Sequence, residues 1–180
     1  METATRSELL RSGARHLQLL AAVLRQGSVS DLITDRVNRE KGYVVITMRR
    51  YPRFVRRELR DEYLSTMSPD SKLHESWLSA KRRHHDHNGA FSRVHYENRF
   101  TVSPEGWADL ERLCRLAKRK TVYLVCQCRV GDRCHREMLL MLAREIFNTP
   151  AEEPKNDYPD FKKRIPGFRR SISRQLPRSA

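Results

Sequence analysis

Two short runs, YVVITM at 43–48 and VYLVC at 122–126, limit the chain's architecture more than any other feature. Each is continuously apolar and rich in β-branched residues, with no polar alternation, so each reads as a strand buried on both faces. The stretch between them holds helix-forming sequence, and strands joined by helices pair in parallel through crossover connections. The expectation is therefore an α/β fold with a parallel sheet covered by helices. In such sheets ligands gather at the carboxyl ends of the strands, which directs attention to the residues just after 48 and 126.

The remaining elements follow from helical spacing and punctuation. Leu10, Ala14, Leu17, Ala21 and Leu24 fall on one helical face within 5–26, and Gly27 follows as a stop. A second short helix is expected over 30–39. Val55, Leu59 and Tyr63 carry a helical period after Pro52. Ser68 with Pro69, and Ser103 with Pro104, look like N-caps followed by a first helical residue, opening helices that bury Leu73 and Trp77, then Trp107, Leu110, Cys114 and Ala117. A last clear helix is expected from Asp132, with Met138, Leu142 and Ile146 on one face, stopping before Pro150. The run KRRHHDHNGAF at 81–91 reads as a polar loop, although its His84, His85 and His87 are able to bind a metal or reach over a pocket. From 151 to 180 there are four prolines and eight Lys or Arg against four Asp or Glu, a composition compatible with a disordered basic tail, although Tyr158, Phe161 and Phe168 allow it to dock. The division expected is an N-terminal helical extension over 1–40, an α/β domain over 41–150 and the basic tail over 151–180.

Charge narrows the class of partner. A formal net charge of +14 favours a polyanionic partner, nucleic acid or a nucleotide, over a basic surface that serves solubility alone, because clustered Lys and Arg attract phosphates and release counterions on binding. No run of 18 apolar residues is present, and the stretch 17–24 is broken by Gln18, so no membrane association is expected. The four cysteines then read as free thiols of a cytoplasmic protein. A homo-oligomer formed through the N-terminal helix is compatible with its apolar stripe. No cofactor is expected, because none of the seven glycines forms a phosphate-cradling fingerprint.

The strongest chemical constellation is CQCRVGDRCHR at 126–136, between the second strand and the last helix. With Asp132 as N-cap, Arg133, Cys134 and His135 form a first helical turn whose unpaired N–H groups favour an anion. The same environment favours the Cys134 thiolate. His135 is placed to act as general acid or base, Arg136 to clamp a phosphate, and Arg129 and Arg133 to add positive charge. Cys134 and His135 are thus the candidate catalytic pair. A tyrosine-phosphatase-like loop is disfavoured, since position six after Cys126 is Asp132 and six after Cys128 is Cys134. Metal is not expected, because Cys126, Cys128, Cys134 and His135 lack two well-separated ligand pairs; if a metal binds, these four are its ligands. A second candidate is the loop after the first strand, where Arg49, Arg50, Tyr51 and Arg53 begin a run of six arginines in twelve residues. It offers phosphate contacts and stacking surfaces. Tyr96 can line the same pocket.

Three segments, VITMRRYPRFVRRELRDEYLSTMSPDSKL, HNGAFSRVHYENRF and VYLVCQCRVGDRCHREMLLMLA, resemble the family known as domain of unknown function 488, which includes the YeaO-like proteins, over about 43–147. The resemblance implies a Rossmann-like three-layer α/β/α fold and marks Arg49, Cys126, Cys134, His135 and Arg136 as motif positions. It implies no reaction. Three functions are compatible with these residues. The first is an enzyme of nucleotide or nucleic-acid metabolism, hydrolase or transferase-like, in which Arg49, Arg53 and Arg136 hold a phosphate and His135 works with Cys134. The second is a non-catalytic nucleic-acid-binding module. The third is a metal-binding or redox-sensing protein using Cys126, Cys128 and Cys134.

Overall fold

The structure, a computed structural model, describes residues 22–175. Four parallel strands form one sheet in the order β1-β4-β2-β3: β1 (Leu24–Ser28), β2 (Gly42–Ile46), β3 (Glu62–Tyr63) and β4 (Thr121–Cys126). Seven α-helices surround it among the described residues: α1 (Val29–Ile33), α2 (Ser71–His84), α3 (His87–Arg93), α4 (Tyr96–Arg99), α5 (Pro104–Ala117), α6 (His135–Glu145) and α7 (Pro159–Gln175). None is long and apolar enough to cross a membrane.

The two apolar runs are the two central strands, β2 and β4, and their alternation shows why they lack polar residues. Val45, Val122 and Leu124 enter a cluster with residues of α5, α6 and α7, while Val44, Ile46 and Val125 enter a second cluster with Val29, Leu32 and Val55. Both faces of the sheet are dry, which gives the three-layer α/β arrangement.

The helix expected over 5–26 is not what 24–26 form. Those residues lie in β1, and 5–21 fall outside the described residues. Tertiary pairing overrides the helical spacing here: Leu24 is wholly buried and its N–H donates to the Pro150 carbonyl, while β1 pairs along β4 from Leu24–Val122 to Ser28–Cys126. The second helix is also shorter and earlier than expected. It starts at Val29 behind the N-cap Ser28, whose hydroxyl accepts from the Asp31 N–H while the Asp31 carboxylate accepts from the Ser28 N–H, a reciprocal cap. The period at 55–63 belongs to no α-helix: a 3-10 turn over Arg57–Leu59 leads into β3, whose backbone pairs with β2.

Of the two Ser-Pro start signals, Ser103 caps α5 by accepting from the Gly106 N–H, with Pro104 at the first helical position. At the other, Asp70 rather than Ser68 is the cap, accepting from the Leu73 N–H at 2.9 Å. The polar run at 81–91 is helical on both sides of a break: His85 takes the left-handed conformation that closes α2, and Asp86 caps α3.

The C-terminal segment is structural as far as it is described. Tyr158 and Phe161 are fully buried in the larger core cluster, with Ile165 and Ile172 beside them. Its anchor is the buried carboxylate of Glu137, which accepts from Gln26 Nε2, the Lys155 N–H, Asn156 Nδ2 and the Tyr158 hydroxyl. Four donors on one buried carboxylate offset its desolvation and tie β1, α6 and the segment before α7 together.

Candidate functional site

Strands β2 and β4 end side by side, with Ile46 level with Val125. The next residue after β2, Thr47, is fully buried and its carbonyl turns toward the start of α6. Helix α6 begins at His135, with Cys134 as N-cap, and not at the expected Asp132. Asp132 instead closes the preceding loop by accepting from the Arg129 N–H. The Cys134 N–H is satisfied by the hydroxyl of Tyr158 at 3.0 Å, so the C-terminal segment caps this helix in place of its own sequence.

This geometry fixes the hydrogen-bonding roles of His135. Its Nε2 lies 2.7 Å from the Thr47 carbonyl oxygen, which can only accept, so Nε2 carries a proton. The other ring nitrogen, Nδ1, faces Cys134 Sγ at 3.5 Å. A neutral His135 therefore presents its lone pair to the Cys134 thiol and can take its proton. Burial alone would raise the Cys134 thiol, but hydrogen bonds from Cys126 and Cys128, with the charges of Arg136 and His135, hold it well below the ordinary thiol range. The cost falls on its neighbours. Cys128 is pushed well above that range by its bonds to Cys126 and Cys134. Cys126, despite the bond from Cys128, is pushed up to about 12 by its bond to Cys134 and by burial. Of the three thiols, Cys134 is the one that ionises first.

The cluster forms the floor of a cleft of about 410 Å³. Arg49, Arg50, Arg129 and Lys81 stand around it, and Trp77, Phe91 and Tyr96 give it apolar wall. Tyr96 is stacked on Phe91 with centroids 4.1 Å apart and is nearly buried, so it offers a ring edge more than a polar group. His74, whose pKa is lowered by burial and by Arg50, His135 and Arg49, lines the same cleft as a neutral group. A larger groove of about 680 Å³ lies between α6 and α7, but it contains no Cys or His.

The structure divides the residues expected at the site. Cys134, His135, Cys126, Cys128, Arg49, Arg50, Arg129, Arg133 and Tyr96 all line the cleft. Tyr51 and Arg53 do not. Tyr51 donates to the Val55 carbonyl and packs edge-on against Tyr63 under the Arg60 guanidinium, and Arg53 points to solvent. Arg133 lines the cleft but spends its guanidinium on Glu97 and the Asp157 carbonyl, lying over the rings of Phe91 and Tyr158.

Arg136 requires a correction. The sequence reading makes it a phosphate clamp, yet it is fully buried and does not line the cleft. Its guanidinium donates to the carbonyl oxygens of Gly27, Cys128 and Arg129, and its Nε to Cys134 Sγ at 3.4 Å. It braces the loop and the thiolate, leaving no edge for an incoming anion.

Several members of the site carry no separate signal in the sequence. Thr47 acts through its backbone carbonyl, and Tyr158 sits in the segment that reads as a tail. His87, by contrast, is one of the three histidines of the 81–91 run able to reach over a pocket, and it does line the cleft, held by Asp132 at 3.8 Å, by the Arg133 carbonyl at 3.1 Å and edge-on against Trp77.

The same atoms also have the spacing of a soft-metal site. Ligand atoms of Cys126, Cys134 and His135 all lie within 4.8 Å of one another. Cys128 Sγ is 3.8 Å from Cys126 Sγ. For Zn–S of about 2.3 Å and Zn–N of about 2.0–2.1 Å, the edges of a tetrahedron are about 3.8 Å between sulfurs and about 3.5 Å between sulfur and nitrogen. The Cys126–Cys128 and Cys134–His135 separations match both edges. His135 also has the outer-shell bond to a backbone carbonyl that fixes a metal-ligating histidine.

Among known proteins, a family model described as "Active DUF488-N3 subclade" (DUF488-N3a) matches residues 28–146. The matched region takes in β2, β4 and every cysteine and histidine of the cleft, and stops before Tyr158. No curated protein and no solved structure matches the chain.

Proposed function

The chain belongs to the DUF488 family, and from that premise we propose that the cleft is the active site of an enzyme acting on a nucleotide or nucleic acid, hydrolase or transferase-like, with Cys134 as nucleophile and His135 as its base. The observation that carries this reading is the Thr47–His135–Cys134 relay. A proton fixed on Nε2 by a buried carbonyl leaves Nδ1 aimed at the thiol of lowest pKa. Arg49, Arg50 and Arg129 supply positive charge above it for a phosphate-bearing ligand, and the description of this subclade as active agrees with a catalytic use.

In the first step Sγ bonds to the electrophilic centre and His135 takes the thiol proton. The leaving group departs with its bonding electrons and receives that proton from the imidazolium. Water or an acceptor hydroxyl then displaces Sγ, returning the thiol.

The test is the pH profile of alkylation by iodoacetamide, followed residue by residue by mass spectrometry. Cys134 should react at pH values well below those at which Cys126 and Cys128 react, nucleoside phosphates should protect it, and His135→Asn should move its profile upward. Equal, slow reaction of all three thiols without protection would overturn the reading.

The clustering of Cys126, Cys134 and His135 favours a second reading, in which these three, with Cys128 next to Cys126 as the fourth ligand after a small shift, bind one Zn²⁺ and the cleft binds its anion beside a metal centre. Native mass spectrometry separates the two. One zinc per chain, lost together with protection of Cys134 on chelation, replaces the nucleophile reading; metal-free protein with a reactive Cys134 supports it.

A further inference from the structure

The segment 49–60 holds Arg49, Arg50, Arg53, Arg56, Arg57 and Arg60, and none of these six makes an ion pair with a carboxylate among the described residues. Elsewhere some arginines are neutralised, as Arg36 is by Asp31, Arg93 by Asp86, Arg115 by Glu111 and Arg144 by Glu153, and what sets 49–60 apart is the density of its arginines, six in twelve residues with none so paired. The segment holds one acid, the exposed Glu58, which makes no ion pair with these arginines, while Asp61 accepts from the Val44 N–H and Glu62 is taken by Arg112. Six arginines against one glutamate leave an excess of like charge that repels itself, and a polyanion relieves that repulsion.

Within this segment a turn closes from Pro52 to Val55, with the Val55 N–H donating to the Pro52 carbonyl at 2.9 Å. Pro52 and Val55 are buried, whereas Arg53 and Phe54 at the tip are exposed. Phe54 is 64% exposed, more than any other large apolar residue described. A rigid turn that holds an aromatic ring in water between unpaired arginines has the composition of a surface for single-stranded nucleic acid. Backbone phosphates meet guanidiniums there, and an unpaired base stacks on the ring. A duplex hides its base faces and cannot use Phe54. At the near end of the segment Arg49 and Arg50 enter the cleft, where Trp77 stands with Lys81 over its ring at 5.1 Å.

We propose that the exposed turn at Arg53–Phe54, flanked by unpaired arginines, binds single-stranded nucleic acid and feeds it toward the cleft. This rests on the reading of the cleft as a site for a nucleotide or nucleic acid and specifies the substrate as an unpaired strand.

The experiment uses the full chain and fluorescence anisotropy with labelled 12-mers of oligothymidylate and oligouridylate, against a 12-base-pair duplex, across a salt series. The single strands should bind more tightly than the duplex. Phe54→Ala should weaken strand binding roughly tenfold and Phe54→Trp should restore it. Replacing Arg53, Arg56 and Arg57 together by Gln should flatten the salt dependence by about two units of slope. Unchanged binding in Phe54→Ala, or a duplex bound as tightly as the strand, overturns the proposal. Alkylation of Cys134 is measured on the same variants. Failure of the Phe54 arms with Cys134 reactivity intact removes this inference alone, whereas an unreactive Cys134 with strand binding intact removes the catalytic reading alone.

Discussion

Replacing Arg136 with Met tests whether this residue serves the fold or the ligand. In the structure its guanidinium reaches three carbonyl oxygens from two different parts of the sheet, Gly27 at the end of β1 and Cys128 and Arg129 after β4, together with the Cys134 sulfur. Charge-assisted hydrogen bonds contribute about 1.5–3 kcal/mol each, but removing a buried cation also removes its desolvation cost. The balance for breaking such a buried arrangement is a loss of about 3–5 kcal/mol. In a chain of this size each kcal/mol moves the melting temperature by about 2–4 °C, so Arg136→Met should melt about 10 °C lower by far-ultraviolet circular dichroism. A lysine in its place would keep the charge but cannot span four acceptors, and Arg136→Lys should recover only part of the loss. The Met variant also removes a positive neighbour from the Cys134 thiolate. Because that neighbour favours the ionised form, the alkylation profile of Cys134 should shift to higher pH. A variant that melts within about 2 °C of the parent while losing protection by nucleoside phosphates would show that Arg136 meets the ligand, and the reasoning from its buried bonds would be wrong.

Three further outcomes follow from packing and charge. Ending the chain at Pro150 removes Tyr158, Phe161, Ile165 and Ile172 from the core at about 1.5–3 kcal/mol each, comparable with the whole stability of a domain, so the truncated protein should show no cooperative thermal transition. Gly106→Ala places a methyl group against the Thr66 carbonyl oxygen, a backbone atom with no room to move, and should lower stability by about 1–3 kcal/mol in urea titration. Hydrogen bonds from Arg112 hold Glu62 below the usual carboxylate range, so its contribution is complete above the unfolded value near pH 4 and fades as pH falls through the lowered one. Glu62→Gln should therefore cost about 1 kcal/mol at pH 7, because the pair is partly exposed, and progressively less as pH falls below about 4; a difference that stays constant down to the acid limit of folding would contradict the assignment.

Which elements can be read from the sequence depends on where their stabilisation comes from. β2 and β4 announce themselves because both faces of each strand are dry, so every position has to be apolar. α5 does so through Ser103 and Pro104, a local cap that needs nothing distant. β1 has no such local signature. Arg25 and Gln26 interrupt its apolar content, Gln26 is buried only because Glu137 accepts its amide, and Gly27 fits against Val37 and Val125. β3 is two residues long and exists through its pairing with β2, so a helical period across Val55, Leu59 and Tyr63 outweighs it.

The site divides along the same line. Cys134 and His135 are identifiable because residue type and adjacency alone mark a thiol beside a base, and Arg49 and Arg50 because a parallel sheet must bring the ends of adjacent strands together. What the sequence does not disclose is which charged group faces inward. Arg136 and Arg129 differ by seven positions and not at all in chemistry, yet one is sealed under the loop and the other lines the cleft. That outcome is set by the Gly27, Cys128 and Arg129 carbonyls, which converge from the end of β1 and the loop after β4 on one donor with several N–H groups. The same demand explains Tyr158. Cys134 as N-cap makes no side-chain bond to a backbone N–H of its own helix, and its own N–H is met by a hydroxyl twenty-four residues away. The Cys134–His135 pair at the head of α6 thus depends on a segment whose charge and prolines suggest a loose tail, and the Glu137 carboxylate that gathers that segment is as much a part of the candidate site as the thiol it never touches.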